Sequence, residues 1–200
     1  MSETVRGRFL PVAALVAALL AFPAYAASYK DIHAARPEMF DAATGYRIDR
    51  QRAPTPDDIP PPARRADAAK ARQLIADGAI AIDVLGAAQS RYDELDGTWL
   101  VGTKRLSLPG ATWLPEVGRG TLTDEMHAYF RDNLERLTDG EQSMPLLIFC
   151  VADCWMSWNA AQRAAGYGYT NIHWFREGSD GWRDMGWELE PVDPVAVNID

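Results

Sequence analysis

Two cysteines carry the most reactive side chains of the sequence, set in Cys150-Val151-Ala152-Asp153-Cys154-Trp155. Four residues apart, their sulfurs come within disulfide range if the loop between them is not fully helical. One thiol can then resolve an adduct on the other. Cys150 ends an apolar run and shortly precedes an alanine-rich stretch, which in an open α/β sheet is the edge where sites form. Loop amides and the N-terminus of a following helix direct N–H groups at such a position, favour a thiolate or persulfide, and lower a thiol below the ~8.5 of free cysteine. The carboxylate of Asp153, next to Cys154 and three residues from Cys150, opposes that ionisation. Two blander fates stand beside the reactive one. A cysteine is often a buried apolar residue, and two sulfurs can join histidines on a metal. Because His33, His127 and His173 are scattered, the ligand set is incomplete and no metal or other cofactor is expected. Cys150 and Cys154 are therefore the catalytic candidates, with Val151, Ala152, Asp153, Trp155, Met156, Ser157 and Trp158 as loop and contact candidates.

Few other residues compete with this pair. Trp155 and Trp158, three apart, share a face if both are helical, either filling a core or forming a wall for a flat quinone or a partner's surface. His127 falls on the solvent side of a predicted helix, and His173 on a predicted strand lacks a partner that would make it a base. Lys104-Arg105 lies in a long loop, where the pair is either solvated or swung toward the cysteine edge.

The elements that must position the loop follow from pattern. Residues 79–85 (Ala-Ile-Ala-Ile-Asp-Val-Leu) form a near-continuous apolar run of strand length, as does 146–149 (Leu-Leu-Ile-Phe), and strands buried on both faces of a parallel sheet read this way. Shorter strands are expected at 110–114 and 171–175. Helices are expected at 66–76, stopped by Asp77-Gly78, at 125–137 after a Thr123 cap, and at 157–165. The alternation predicts an α/β fold, a central parallel sheet with helices on both faces. Residues 86–108 read as a long loop.

The 200 residues carry 20 Lys+Arg against 28 Asp+Glu, a formal charge of −8 that argues against nucleic acid as a partner. Arg6 and Arg8, the apolar run 9–22 and Ala24-Tyr25-Ala26 have the layout of a secretory signal peptide over residues 1–26, so export to the periplasm is expected, with no membrane span after processing. Residues 27–65, with five prolines between Pro54 and Pro62, read as an extended proline-rich leader rather than a sheet. The domain proper is expected over 66–190 and a tail over 191–200.

In order, Ile82-Asp83-Val84, Leu108-Pro109-Gly110-Ala111, Leu147-Ile148-Phe149-Cys150, Ser157, Ala160-Ala161, Gly166-Tyr167 and Gly178 to Trp182 resemble the landmarks of the rhodanese-like superfamily over about residues 66–188. That resemblance implies a persulfide-carrying nucleophile, which falls on Cys150, and a small sulfur donor or protein thiol as its partner. Gly45-Tyr46-Arg47, Ala53-Pro54-Thr55-Pro56, Val117-Gly118 and Ala152-Asp153-Cys154-Trp155-Met156-Ser157-Trp158-Asn159-Ala160-Ala161 look like a subgroup, the CXXCW-motif proteins associated with PQQ-dependent catabolism. It implies association with a PQQ-dependent dehydrogenase or its electron-transfer partner, as a sulfurtransferase, as a redox protein, or as an accessory protein held by a structural disulfide. Two departures matter. The loop from Val151 to Met156 has no Lys or Arg, and Leu85 stands where a basic residue often follows the Asp-Val pair. Weak thiosulfate transfer is expected from this charge pattern.

Overall fold

The computed structural model describes residues 27–87 and 89–198, so the expected signal peptide lies outside the described residues. Five strands, β1 (Arg64–Ala66), β2 (Ile80–Asp83), β4 (Thr112–Trp113), β5 (Leu146–Phe149) and β6 (Ile172–Phe175), form one sheet in the order β1-β6-β5-β2-β4. Every pairing in it is parallel. A separate antiparallel pair joins β3 (Arg105–Ser107) to β7 (Glu190–Val192).

Helices cover both faces, as the sequence alternation predicts. On one face Ile82, Leu146, Ile148, Ile172 and Trp174 pack against α3 (Asp124–Thr138) and α4 (Trp155–Gly166). The fully buried Ala160, Ala161 and Ala164 present little side-chain bulk on the packed side of α4. On the other face Ala81, Leu147, Phe149 and Phe175 pack against α2 (Ala68–Ala76) and α5 (Gly178–Asp184). Capping sets the helix starts. The Thr123 hydroxyl accepts from the Met126 amide at 3.3 Å and the Asp67 carboxylate from Lys70 at 2.7 Å, each supplying a partner to an N–H the helix cannot satisfy.

The leader departs from the expected extended run. It holds α1 (Tyr29–Ala35), a 3-10 turn at Pro37–Met39 and the edge strand β1, and it buries Met39, Phe40 and Ile59 in the main core. The prolines exclude a central strand, but a three-residue edge strand opening on two exposed arginines gives no hydrophobic pattern to read. The tail also packs: Val195 donates to the Trp113 carbonyl at 3.0 Å, and Val197 is buried. No helix among the described residues is long and apolar enough to cross a membrane.

Candidate functional site

β5 delivers Cys150 to the C-terminal edge of the sheet, and α4 starts immediately after Cys154, so the cysteine loop is one tight turn. Asp153 makes the turn in the left-handed region, at φ +51°. From one side α5 holds the loop. The Ser179 amide donates to the Cys150 carbonyl at 3.0 Å, Ala152 N–H reaches the Asp180 carboxylate at 3.1 Å, and Gly178 sits so close that a Cβ there would lie 2.4 Å from the Cys150 oxygen. From the other side the leader lies along it. Ala53 N–H donates to the Asp153 carbonyl at 3.0 Å, Trp155 N–H to the Gln51 carbonyl at 2.8 Å, and the Arg52 guanidinium to the Ala152 carbonyl at 3.0 Å. Both sulfurs are consequently shut in, with Cys150 0% and Cys154 1% exposed.

Their acidities diverge. Burial pushes the Cys150 thiol well up, and its contacts with Cys154 and the charge of Asp83 add to the rise. Cys154 moves the other way, down to about 7, because the Cys150 thiol hydrogen-bonds it, against the cost of burial, and the Met156 amide and Arg52 help. The single Cys150 S–H also has two backbone acceptors within reach, the Val151 and Cys154 carbonyls at 3.6 and 3.8 Å. The expectation that loop amides and the helix N-terminus lower the Cys150 thiol is corrected: the Val151 amide does lower it but burial dominates, and the α4 N-terminus reaches Cys154 instead. Asp153 is exposed, and the carboxylate that opposes ionisation of Cys150 is Asp83.

No family model matches the chain, and no curated protein matches it.

Asp83 ends β2, level with Phe149 in the adjacent strand, and its side chain is fully buried. It accepts from Arg105 Nε at 2.8 Å, from Ser107 Oγ at 2.6 Å and from the Leu85 amide at 3.0 Å. Burial raises its carboxyl and these partners pull it down. Arg105 continues to Ser179 Oγ at 3.0 Å and the Cys150 carbonyl at 3.4 Å, so the strand-end carboxylate, the cation and the cysteine loop form one network. Of Lys104-Arg105, then, Arg105 is drawn to the cysteine edge and Lys104 stays exposed. Both line a cavity of about 500 Å³ with Leu85, Trp113 and Asp180. The sequence signal for this network was one carboxylate in an otherwise apolar strand, a position that demands a buried cation or several donors.

The remaining loop candidates are packed. Ser157 Oγ donates to the Cys154 carbonyl at 3.1 Å and accepts from Trp174 Nε1 at 3.0 Å. Trp155 and Trp158 do share a face, edge to face at 5.5 Å, and donate to the Pro54 and Asp58 carbonyls of the leader. Met156 is buried, while Val151 and Ala152 are half-buried. Sequence reading missed Asn159, whose amide brackets Arg47 through both its N–H and its carbonyl at 2.9 Å and also reaches Gly118. It missed Arg163 as well, buried on the same helix and bonded to the Val117, Arg119 and Gly120 carbonyls. Polar residues inside an alanine-rich helix were the available signal. His127 contacts the Tyr167 hydroxyl at 2.6 Å and His173 the Asn171 side chain at 3.2 Å, both away from the thiols. Among the described residues no three His, Cys, Asp or Glu side chains are gathered as metal ligands would be.

Proposed function

We propose that the protein is an exported, rhodanese-like thiol protein whose Cys150–Cys154 pair exchanges disulfides with a protein or small-molecule partner, in association with PQQ-dependent alcohol oxidation. The observation that carries the reading is the placement of two buried thiols on one tight turn at the C-terminal edge of the sheet, the Cys150 sulfur 3.8 Å from the Cys154 carbonyl. In that turn Cys154 is the thiol held low, at about 7, and Cys150 the one held high. In the exchange, the Cys154 thiolate attacks one sulfur of the partner's disulfide, forming a mixed disulfide and expelling the other sulfur as a thiolate. That thiolate takes a proton from Cys150, whose sulfur then attacks Cys154 and releases the second partner thiolate. The pair is oxidised by two electrons and the partner reduced by two. A sulfane donor would follow the same first step, leaving a persulfide on Cys154. The parallel α/β sheet, with the loop at its C-terminal edge, supports the rhodanese-like part of the reading.

The burial of both sulfurs favours a second reading, a non-enzymatic accessory protein in which the pair is a structural disulfide. Equilibration of the full chain in glutathione redox buffers, read by alkylation and mass, separates the two. An exchanging pair has a reduction potential above about −300 mV, and a structural disulfide lies below it. A pair that stays fully oxidised in strongly reducing buffer overturns the exchange reading.

A further inference from the structure

The thiol chemistry leaves unused a cavity of about 440 Å³ on the leader side, whose charged lining residues are arginines alone: Arg36, Arg47, Arg50 and Arg176. Its apolar wall includes Met39 and Pro54. We propose that this cavity binds a small organic oxyanion, its carboxylate or phosphate head held by Arg47 and Arg50 and its apolar body laid against Met39 and Pro54.

Arg47 carries the argument. It is only 5% exposed, and its guanidinium is stacked against Phe40 and Trp155, 5.1 Å from each ring centre. Its Nε donates to the Asp49 carbonyl at 2.6 Å, and among the described residues no carboxylate pairs with it. A guanidinium held this deep without a counter-ion is costly, and an oxyanion offers the matched partner, accepting two parallel N–H bonds. Burial is the main cause that lowers its proton affinity; the charge of Asp49 is the next influence and raises it, while Arg50 and Arg36 lower it and Glu38 raises it. Of the nearby carboxylates, Asp49 accepts from the Arg50 amide at 2.7 Å, while Asp57 and Glu177 each hold Arg65 at 2.7 Å and also reach Arg176, at 3.2 and 3.8 Å, which leaves none on Arg47. Arg176 is fixed on Thr55 through two hydrogen bonds of 3.0 Å and reaches Asp57 at 3.2 Å, which presents it to the cavity rigidly. Arg36 approaches Glu38 only at 3.9 Å, with both well exposed. The volume exceeds what a bare inorganic ion fills and falls in the range of small-molecule sites.

Isothermal titration of the full chain with phenyl phosphate, benzoate and inorganic phosphate tests this. Saturable one-to-one binding of phenyl phosphate or benzoate is expected, tighter than inorganic phosphate. The two organic probes tell a phosphate head from a carboxylate. Arg47→Gln should weaken that binding by roughly tenfold or more, the scale of one charge-assisted hydrogen bond. Because Arg47 is buried and its loss could disturb the fold, the exposed pair Arg36→Gln/Arg50→Gln provides an independent arm, with weakening of at least roughly threefold expected from lost charge. Absence of saturable binding by either organic probe, no preference over inorganic phosphate, or unchanged affinity in a folded Arg36→Gln/Arg50→Gln variant would overturn the proposal.

Discussion

Replacing Cys150 by alanine removes the largest influence that holds Cys154 below the ordinary 9.0. With Cys154 at about 7, about half of it is thiolate at pH 7. Full return to the ordinary value leaves about one part in a hundred, a fall of roughly fiftyfold. Each surviving thiolate is the better nucleophile, by roughly eightfold for two units at a Brønsted slope of ~0.45. The limiting net effect is therefore alkylation of Cys154 about sixfold slower at pH 7 and about sevenfold faster at pH 10, where both proteins are largely ionised. The two rate profiles must cross between those pH values. Cys150→Ser keeps a donor in place and should hold the midpoint near that of the wild type. The assay is iodoacetamide alkylation of the reduced full chain from pH 5.5 to 10, with the modified peptide assigned by mass. Both sulfurs are covered, so every rate includes a common opening factor that scales the curves without moving their midpoints. Superposable wild-type and Cys150→Ala profiles, or alkylation of Cys150 ahead of Cys154, would refute the assignment of the proton to Cys150.

Two further outcomes follow from buried charge and buried histidine. Arg105→Met strips the cation from the fully buried Asp83 and should cost about 3–5 kcal/mol in urea unfolding. Asp83→Asn in the same chain should recover part of that loss, and strict additivity of the two changes would show that the pair is not coupled. His127 and His173 are both held below the ordinary 6.5, first by burial and then by neighbouring arginines, with Lys70 also acting on His173. Each takes up its proton at higher pH unfolded than folded, so its stability contribution is complete above 6.5 and is lost as pH falls below it. Unfolding free energy should accordingly drop between pH 7.5 and 5.5, with a shallower slope in His173→Gln; an unchanged slope in both His127→Gln and His173→Gln would exclude these groups as its source.

What was legible in the sequence was the part of the fold whose signal is local. The runs 79–85 and 146–149 read as buried parallel strands because β2 and β5 are covered on both faces, and Thr123 read as a cap because its hydroxyl acts within one turn. β1 and β3 were not legible. Each is three residues long and is defined by a partner far away, Arg64 opposite His173 and Arg105 opposite Val192. The site divides in the same way. Strand, cysteine and helix start are consecutive, so the loop could be located. The Gln51–Ala53 segment that covers it and the Arg105 that pins it are about 100 and 45 residues away, and no spacing rule connects them. Asp153 misled for the converse reason: adjacency in sequence promised proximity of charge, and a left-handed turn left the residue exposed.

The order of the two acidities follows from which element each sulfur belongs to. Cys150 extends β5, and the next strand, β2, ends in Asp83, so the sheet buries the sulfur and brings a carboxylate toward it, which together outweigh the lowering by the Val151 amide. The Ser179 amide and Arg105, which do reach this residue, are bonded to its backbone carbonyl and not to its sulfur. Cys154 is the last residue before α4, where the Met156 amide has no acceptor within the helix and Arg52 of the leader adds positive charge. A proton shared between the sulfurs therefore rests on Cys150. Lifting the leader would withdraw Arg52 and admit water, but the Met156 amide would stay with the helix. Cys154 thus remains the more acidic thiol as it becomes accessible, which is the order that attack followed by resolution requires.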